Sequence, residues 1–418
     1  MKSLRWSIAG VICLGMAVNY LDRQVLSVLA PGIRDEFHLT NTDYALIVFA
    51  FQLSYMLSSA GGGRLADYVG VRASYAAMMV LWSASSLLHS LATGVKSFIA
   101  YRFLLGMGEG GSFPTAVKAL TEWFPRKERA LAVGFINASL FAGGILAPPL
   151  TAFLALRFGW RMAFLVVGAL GFVWIAAWLP MYRHPIEHSR VTQSELDWIQ
   201  SDAVKETAVS APVRALDLLR FPQIWGLLVA RFIADPPWQF YMFWLPEYLS
   251  RVRGMGLADI GMIAWMPFLS GAIGGVVGGW GSDHLIRTGR TPVFARKAMM
   301  VVSAALLPVG ILAAIVPSGT MAVACVCIAA MGHLSWVTNA QTLPADVLPP
   351  RIVATTVGLS QTAGYLGNLG ATLVTGYVLD RFSYFPVFCA AGVMHLLATI
   401  ILLLTFVRTG RLTEHFVG

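Results

Sequence analysis

Long apolar runs dominate the chain and are separated by short polar segments. Each run holds about 20 residues or more, the length that an α-helix needs to cross the hydrocarbon core of a bilayer. Twelve such runs are present, and they predict twelve transmembrane helices. The predicted spans lie near residues 7–30, 43–65, 73–94, 97–120, 130–155, 161–181, 223–249, 256–280, 297–316, 319–344, 354–380 and 384–407.

Composition excludes an ordinary soluble protein. Hydrophobic residues make up 57% of the chain and charged residues only 12%, and the mean hydropathy is +0.68. A soluble domain of average composition is about 25% charged. Only a chain embedded in lipid keeps this much apolar surface without aggregating. The predicted fold class is therefore an all-α membrane protein in contact with the lipid bilayer.

The balance of 30 Lys and Arg against 21 Asp and Glu would suggest nucleic-acid binding in a soluble protein. Here the positive charges lie in short segments between apolar runs, where they set membrane orientation, so no nucleic acid is expected as a partner. With a cytoplasmic N-terminus, seven of the 30 fall in outer segments, four lie within spans, and the other 19 fall in inner segments. We therefore predict that both termini are cytoplasmic.

The longest polar segment between spans covers residues 182–222 and divides the chain. It predicts an N-terminal six-helix bundle over 1–181 and a C-terminal six-helix bundle over 223–418, which ends in a short cytoplasmic tail. Within the linker, residues 193–199 predict a short amphipathic helix on the membrane surface. All four cysteines lie in apolar runs, and their spacing indicates neither a disulfide nor a metal site. No metal and no cofactor are expected.

The two halves share short sequence echoes. Gly-Arg-Leu-Ala-Asp at residues 63–67 follows the second span. A partial match, Gly-Trp-Gly-Ser-Asp at residues 279–283, follows the eighth span. Pro and Gly stand nine residues apart at both 125–134 and 349–358. Two echoes in matching topological positions indicate parallel repeats of six spans, with a site expected between them at the membrane midplane.

Residues 63–72 closely resemble the loop signature that the major facilitator superfamily carries between its second and third helices. Three further stretches, 19–23, 102–114 and 122–129, are similar to the anion:cation symporter family within it. That family includes bacterial hexuronate, galactonate and glucarate transporters, and this chain most resembles the hexuronate (galacturonate/glucuronate) branch. The resemblance covers the whole chain. It implies a secondary transporter in the bacterial cytoplasmic (inner) membrane.

Charged residues inside the spans mark the candidate site. Asp22 and Arg23 interrupt the first span, at roughly 2.5–3.5 kcal/mol each on insertion scales. Such ions usually line a pathway, although a pair that only holds helices together is the alternative. Arg102 has about the same predicted depth as Asp22, so the two can pair if their helices adjoin. Glu109 follows Arg102 by seven residues and therefore lies on the same face, two turns away.

Burial favours the neutral form of a carboxyl, whereas a nearby guanidinium favours its ionised form. An Arg that moves relative to Glu109 can therefore couple transport to protons; an inert, hydrogen-bonded Glu109 is the alternative. The resemblance implies more specific roles. Protons would be carried by Asp22 and Glu109, Arg102 would take part in the coupling, the substrate carboxylate would bind Arg23, and the cavity would also be lined by Tyr20 and Tyr55.

The seventh span carries the candidate sugar-binding residues of the second half. Arg231 and Asp235 are one helical turn apart and are expected to satisfy each other. A kink at the following Pro-Pro would change the directions in which Trp238 and Gln239 point. Aromatic ring faces and side-chain amides are groups that bind sugars. Asn368, in the eleventh span, matches a polar ligand-binding position of galactonate carriers. His333 stands alone in the sequence and indicates hydrogen-bonded structure more than a ligand site.

Two other motifs are assigned to packing and gating. Residues 106–111 satisfy GxGxxG, but no strand precedes them, so they predict close helix packing rather than nucleotide binding. Asp67, Arg72 and Asp283 lie at or near predicted inner helix ends. By resemblance, these three residues gate the cytoplasmic face.

Together these features predict a proton-coupled symporter that imports a sugar-acid monoanion, most closely a hexuronate such as galacturonate or glucuronate, by alternating access. Its expected partners are a small-molecule organic anion and protons, and the protein is expected to be a monomer. A carrier of galactonate, glucarate or an aromatic carboxylate is the alternative within transporters. A membrane receptor or enzyme is the alternative from another class, but the sequence shows no nucleophile–base pair or extramembrane domain to support it.

Overall fold

A computed structural model describes residues 4–201, 215–348 and 350–406. Regular structure in these residues is entirely helical. The helices are α1 (Leu4–Phe37), α2 (Asn41–Val69), α3 (Val71–His89), α4 (Val95–Gly110), α5 (Ser112–Trp123), α6 (Arg126–Phe158), α7 (Trp160–Met181), a 3₁₀ turn (Pro185–Glu187), α8 (Gln193–Gln200), α9 (Ala215–Leu218), α10 (Pro222–Ala234), α11 (Pro236–Arg251), α12 (Leu257–Ile263), α13 (Met266–Arg287), α14 (Pro292–Leu306), α15 (Val309–Leu312), α16 (Gly319–Val347), α17 (Pro350–Arg381) and α18 (Tyr384–Thr405). The predictions for linker residues 202–214 and for the C-terminal tail from residue 407 lie outside the described residues.

Each predicted apolar run coincides with one helix or with two consecutive helices. The fourth run breaks at Gly111, and the seventh, eighth and ninth break at Asp235, Trp265 and Leu307. A proline lies within two residues after each of the last three breaks, where its missing N–H and its ring disrupt the helical hydrogen bonds. At the kink predicted in the seventh span, the helix is interrupted between α10 and α11.

The third run is shorter than its sequence pattern predicts. Its helix, α3, ends at His89, whereas the prediction extended to residue 94. The backbone N–H groups of Ser90 and Leu91 bond three residues back instead of four, and the Ser90 hydroxyl also donates to the Leu87 carbonyl at 2.6 Å. This tightened turn ends the helix before the apolar run does.

Seven of the described helical segments are individually long and apolar enough to cross a membrane. An eighth qualifies if Asn41–Ser59 and Gly61–Val69, which are bent by 46°, count as one span. The other predicted spans fall on α3, on the broken pairs α4/α5 and α10/α11, and on α17. Several helices that carry candidate site residues are thus too short or too polar to qualify as membrane spans by length and hydropathy alone.

The described helices pack as two compact units. The first unit contains α1, α3 to α8, the part of α2 from Leu46 onward, and α12 up to Met262. The second contains α9 to α11, α13 to α18 and the first turn of α2. The helix predicted over 193–199 is present as α8, and its Glu195 accepts hydrogen bonds from the backbone N–H groups of Leu4 and Arg5.

Candidate functional site

A buried ion pair between Arg23 of α1 and Glu109 of α4 forms the centre of the first unit's polar cluster. Arg23 Nη2 and Nε lie 3.0 and 3.2 Å from Glu109 Oε2. The Glu109 side chain is fully buried and the Arg23 side chain is 11% exposed. The proposed substrate-binding Arg and a proposed proton carrier, assigned separate roles from the sequence, are thus direct partners.

Aromatic side chains surround the Arg23 guanidinium. It lies over the rings of Tyr20, Phe51 and Tyr55, with 5.0, 5.3 and 4.7 Å to the ring centroids. Each such cation–π contact contributes about 0.5–2 kcal/mol, depending on how dry the site is. Asn19 Oδ1 also accepts from Nη2 at 3.3 Å. The sequence predicted Tyr20 and Tyr55 here but missed Phe51, although its place one turn before Tyr55 on α2 puts it on the same face.

Glycines allow α4 to approach its neighbours closely enough to form this cluster. A Cβ at Gly106 would collide with Ser54 and the Phe51 carbonyl, and one at Gly110 would collide with the Tyr55 carbonyl. Both obstacles belong to α2, so the two backbones are in near contact. The interpretation of residues 106–111 as a packing motif is confirmed.

Asp22 and Arg102 are both 1% exposed. Asp22 Oδ1 accepts a 2.6 Å hydrogen bond from the Ser86 hydroxyl of α3, while Arg102 Nη1 donates to the Arg23 carbonyl at 3.4 Å. Sequence spacing suggested Arg102 as the guanidinium that acts on Glu109, but the ion pair comes from Arg23. Two helical turns separate Arg102 from Glu109, about 10 Å along the axis. Ser86 was missed because nothing local links it to Asp22.

The second unit contains a polar cavity of about 210 Å³. Its walls include three predicted residues, Trp238, Gln239 and Asn368. The expected ion pair between Arg231 and Asp235 is also there, with Nη2 and Oδ2 2.8 Å apart. The remaining lining residues are His333, Leu334, Val337, Gln341, Gln361 and Tyr365. Amides, an ion pair and aromatic rings make this cavity suitable for a hydroxylated ligand.

His333, which stands alone in the sequence, has a histidine partner in the fold. Its Nδ1 lies 2.9 Å from His395 Nε2 of α18, and its ring stacks on Trp238 with centroids 5.7 Å apart and planes at 5°. Both imidazoles are buried. The expectation that His333 is hydrogen-bonded structure is confirmed, and the stack fixes the orientation of the Trp238 ring.

A larger cavity of about 440 Å³, also in the second unit, lies beside Phe232, Phe240, Val374 and Met394. Its lining is almost wholly apolar, which suits hydrocarbon rather than a sugar acid. The smaller polar cavity is therefore the better candidate for ligand binding.

The predicted gating residues each have a partner. Asp67 Oδ1 pairs with Lys118 Nζ of α5 at 2.6 Å, and Arg72 Nε donates to the Leu179 carbonyl at 3.1 Å. Asp283 Oδ1 pairs with Arg296 Nη1 of α14 at 3.0 Å. Lys118, which lies near the end of the fourth predicted span, is thus the partner of Asp67.

The family model of the Major Facilitator Superfamily matches residues 12–372. The chain belongs to the Major Facilitator Superfamily.

Individual relatives of this superfamily member were also found. The hexuronate transporter of Escherichia coli strain K12 is 30% identical over 404 residues, covering 96% of this chain and 94% of the relative. The galacturonate transporter of Dickeya chrysanthemi is 32% identical over 311 residues, covering 74% of this chain and 90% of the relative. The inward-open xylose transporter XylE of E. coli matches with a TM-score of 0.76 at 15% identity, covering 98% of both chains.

Membership settles the broad class. The protein is a multi-pass membrane transporter of this superfamily and not an enzyme. The predicted all-α fold of two six-helix bundles is confirmed at the level of fold class.

Proposed function

We propose that the protein is a proton-coupled symporter that imports a sugar-acid monoanion, most closely a hexuronate such as galacturonate or glucuronate, by alternating access. The observation that carries this proposal is the buried ion pair between Arg23 and Glu109. An ion pair within a membrane span is costly to build and is found mostly where ions or substrates pass. Its two members suit the two species that a symporter of this kind moves.

The proposed mechanism is a competition for one guanidinium. Arg23 can offer its donor fork to the Glu109 carboxylate or to the carboxylate of the substrate. When Glu109 takes up a proton, its charge disappears and its hold on Arg23 weakens. Arg23 then binds the substrate anion, so that one proton and one anion load together. Loss of the proton restores the Arg23–Glu109 pair and expels the substrate.

Asp22 and Arg102 are proposed to take part in the same proton transfer. One carboxylate oxygen of Asp22, Oδ1, accepts a hydrogen bond from the Ser86 hydroxyl. The other oxygen, Oδ2, is buried without a hydrogen-bond partner among the described residues. A carboxyl in this setting can accept a proton without breaking an existing bond. Arg102, bonded to the Arg23 backbone, links the position of α4 to that of α1.

The substrate hydroxyls are proposed to bind Tyr20 and Tyr55 in the first unit and Gln239 and Asn368 in the second, with Trp238 offering an apolar ring face to a pyranose. The relatives support a sugar acid, because two of them are a hexuronate and a galacturonate transporter. In this mechanism protonation of Glu109 frees one guanidinium at the anion site, which favours a monocarboxylate, since a second carboxylate would need its own partner.

Uptake into proteoliposomes tests this proposal. Labelled glucuronate should accumulate when the pH gradient drives protons inward, and unlabelled galacturonate should compete strongly. Galactonate, glucarate and phthalate should compete weakly. If galactonate or phthalate competes and galacturonate does not, the hexuronate assignment is wrong. If no sugar acid is taken up, the substrate class is wrong.

We also propose the orientation and the outer organisation of the chain. The Lys and Arg distribution favours two six-helix halves, 1–181 and 223–418, in a bacterial inner membrane, with both termini and linker 182–222 in the cytoplasm. Asp67, Arg72 and Asp283 would gate the cytoplasmic side, and the protein would act as a monomer. A reporter fused after Gly418 that is active only in the periplasm would contradict this orientation.

A further inference from the structure

The polar cavity of the second unit contains five buried polar atoms that have no hydrogen-bond partner among the described residues. They are Nε and Nη1 of Arg231, Oδ1 of Asp235, Oε1 of Gln239 and Oδ1 of Asn368. Arg231 and Asn368 are only 5% and 4% exposed. Folded proteins leave few such atoms, because each loses its hydration without gaining a bond. Five around one cavity indicate a place built to bind a polar ligand.

The free atoms of the ion pair specify what kind of polar group fits. The bond between Arg231 Nη2 and Asp235 Oδ2 leaves two donor nitrogens and one acceptor oxygen, while the pair as a whole carries no net charge. A hydroxyl both donates and accepts, whereas a carboxylate only accepts. Donors and an acceptor side by side therefore match neighbouring hydroxyls better than a second anion.

The pair is held in a fixed arrangement. Its members are four residues apart in the same span, where α10 ends at Ala234 and α11 begins at Pro236. A Cβ at Gly364 of α17 would collide with the Asp235 carboxylate, so this carboxylate lies directly on the α17 backbone. The short spacing and this contact keep the Asp235 carboxylate beside Arg231 and next to the cavity.

We propose that the Arg231–Asp235 pair is a neutral receptor for the hydroxyl-bearing part of the substrate, and that Asp235 determines specificity by neutralising Arg231, so that a second carboxylate finds no net positive charge there. This inference rests on the proposed function and adds to it the reason why a sugar acid with one carboxylate is preferred over its dicarboxylate counterpart. Gln239 and Asn368 complete the receptor with further acceptors for hydroxyl protons.

Binding to the purified, full-length wild-type protein gives the first test. The probes are glucuronate and galacturonate, which carry one carboxylate, and glucarate and galactarate, which carry two. Dissociation constants come from ligand-induced shifts in melting temperature. Both dicarboxylates should bind at least about tenfold more weakly than their monocarboxylate counterparts, because the second carboxylate loses water beside a pair that offers it no net positive charge. Equal affinity for the two classes would overturn the inference.

The variant Asp235→Asn gives the second test, because it removes the negative charge and leaves the Arg231 charge unopposed. The ratio of dicarboxylate to monocarboxylate affinity should rise by at least about tenfold. Glu247→Gln is the matched control, since Glu247 is also buried and pairs with an Arg four residues later on the same span, outside the cavity. An unchanged ratio in Asp235→Asn, or an equal change in Glu247→Gln, would contradict the proposal.

An apolar double variant covers the case in which Asp235→Asn does not fold. Arg231→Met with Asp235→Leu leaves no unpaired charge, and such replacements of buried ion pairs are often tolerated. It should lose at least about tenfold in affinity for the monocarboxylates, and full affinity would overturn the inference. If no sugar acid binds the wild type, the proposed function fails and the inference with it. If sugar acids bind without the predicted selectivity, only the inference fails.

Discussion

The two units each hold one buried Arg–carboxylate pair among the candidate site residues, and the two pairs differ in how they are built. Arg23 and Glu109 are 86 residues apart and belong to different helices. Arg231 and Asp235 are four residues apart in one span. A shift of one helix against the other can separate the first pair, whereas the short spacing of the second pair keeps its members close.

In the proposed mechanism, this difference corresponds to different tasks for the two units. A pair that opens exposes a guanidinium for an anion and a carboxylate for a proton, which is what coupling requires. A pair that stays closed presents a constant set of donors and acceptors, which is what selectivity requires. In the proposed mechanism, coupling is therefore the task of α1 and α4, and discrimination is the task of the seventh span.

The largest expected effect comes from Arg23→Lys. A lysine keeps the charge but loses the planar donor fork, so one charge-assisted hydrogen bond to the substrate carboxylate is lost. Binding should weaken by about 1.5–3 kcal/mol, or about tenfold to 150-fold in the dissociation constant. Ligand-induced shifts in melting temperature measure this.

Arg161→Lys is the control, because Arg161 forms a half-exposed pair with Glu36 and should show no change in affinity. Unchanged affinity in Arg23→Lys would move the anion site elsewhere, with Arg231 the next candidate. The two units would then have the opposite tasks.

Two glycine-to-alanine substitutions are expected to have effects of intermediate size. In Gly110→Ala the new methyl group meets the Tyr55 backbone, which cannot move alone, so we expect a loss of about 1–3 kcal/mol in stability. In Gly364→Ala it meets the Asp235 carboxylate, the end of a side chain, which accommodates a small shift more easily than backbone does. That variant should therefore lose less stability but change the preference between mono- and dicarboxylates.

Thermal unfolding and ligand competition measure the two glycine variants. Gly10→Ala is the control, because nothing lies within 4 Å of the added Cβ. If Gly364→Ala is as unstable as Gly110→Ala and its selectivity is unchanged, the contact of Gly364 with Asp235 does not differ in effect from the contact of Gly110 with the Tyr55 backbone, and this prediction is wrong.

The smallest effect on stability is expected for Asp67→Asn. The Asp67 side chain is 67% exposed, and exposed ion pairs contribute about 0–1 kcal/mol. A gating role predicts a changed maximal transport rate at unchanged substrate affinity. Asp217→Asn, in an exposed pair with Arg220, should leave the rate unchanged. If both variants transport like the wild type, Asp67 does not gate.

Sequence predicted well what depends on local pattern. Apolar run length gave the spans, and charges within those runs singled out Asp22, Arg23 and Glu109. Spacing of one turn correctly paired Arg231 with Asp235. Partners distant in sequence were harder to predict: Glu109 for Arg23, Ser86 for Asp22 and His395 for His333. These contacts depend on which helices pack together, and no single span encodes that.

The central claim is that Glu109 links proton binding to the release of Arg23, and Glu109→Gln tests it most directly. Proteoliposomes with the variant should still exchange labelled glucuronate for internal unlabelled glucuronate, because an amide leaves Arg23 available to the substrate. They should not accumulate glucuronate when a pH gradient is imposed. Glu247→Gln should do both like the wild type. If Glu109→Gln still concentrates glucuronate against its gradient, Glu109 is not the coupling carboxylate.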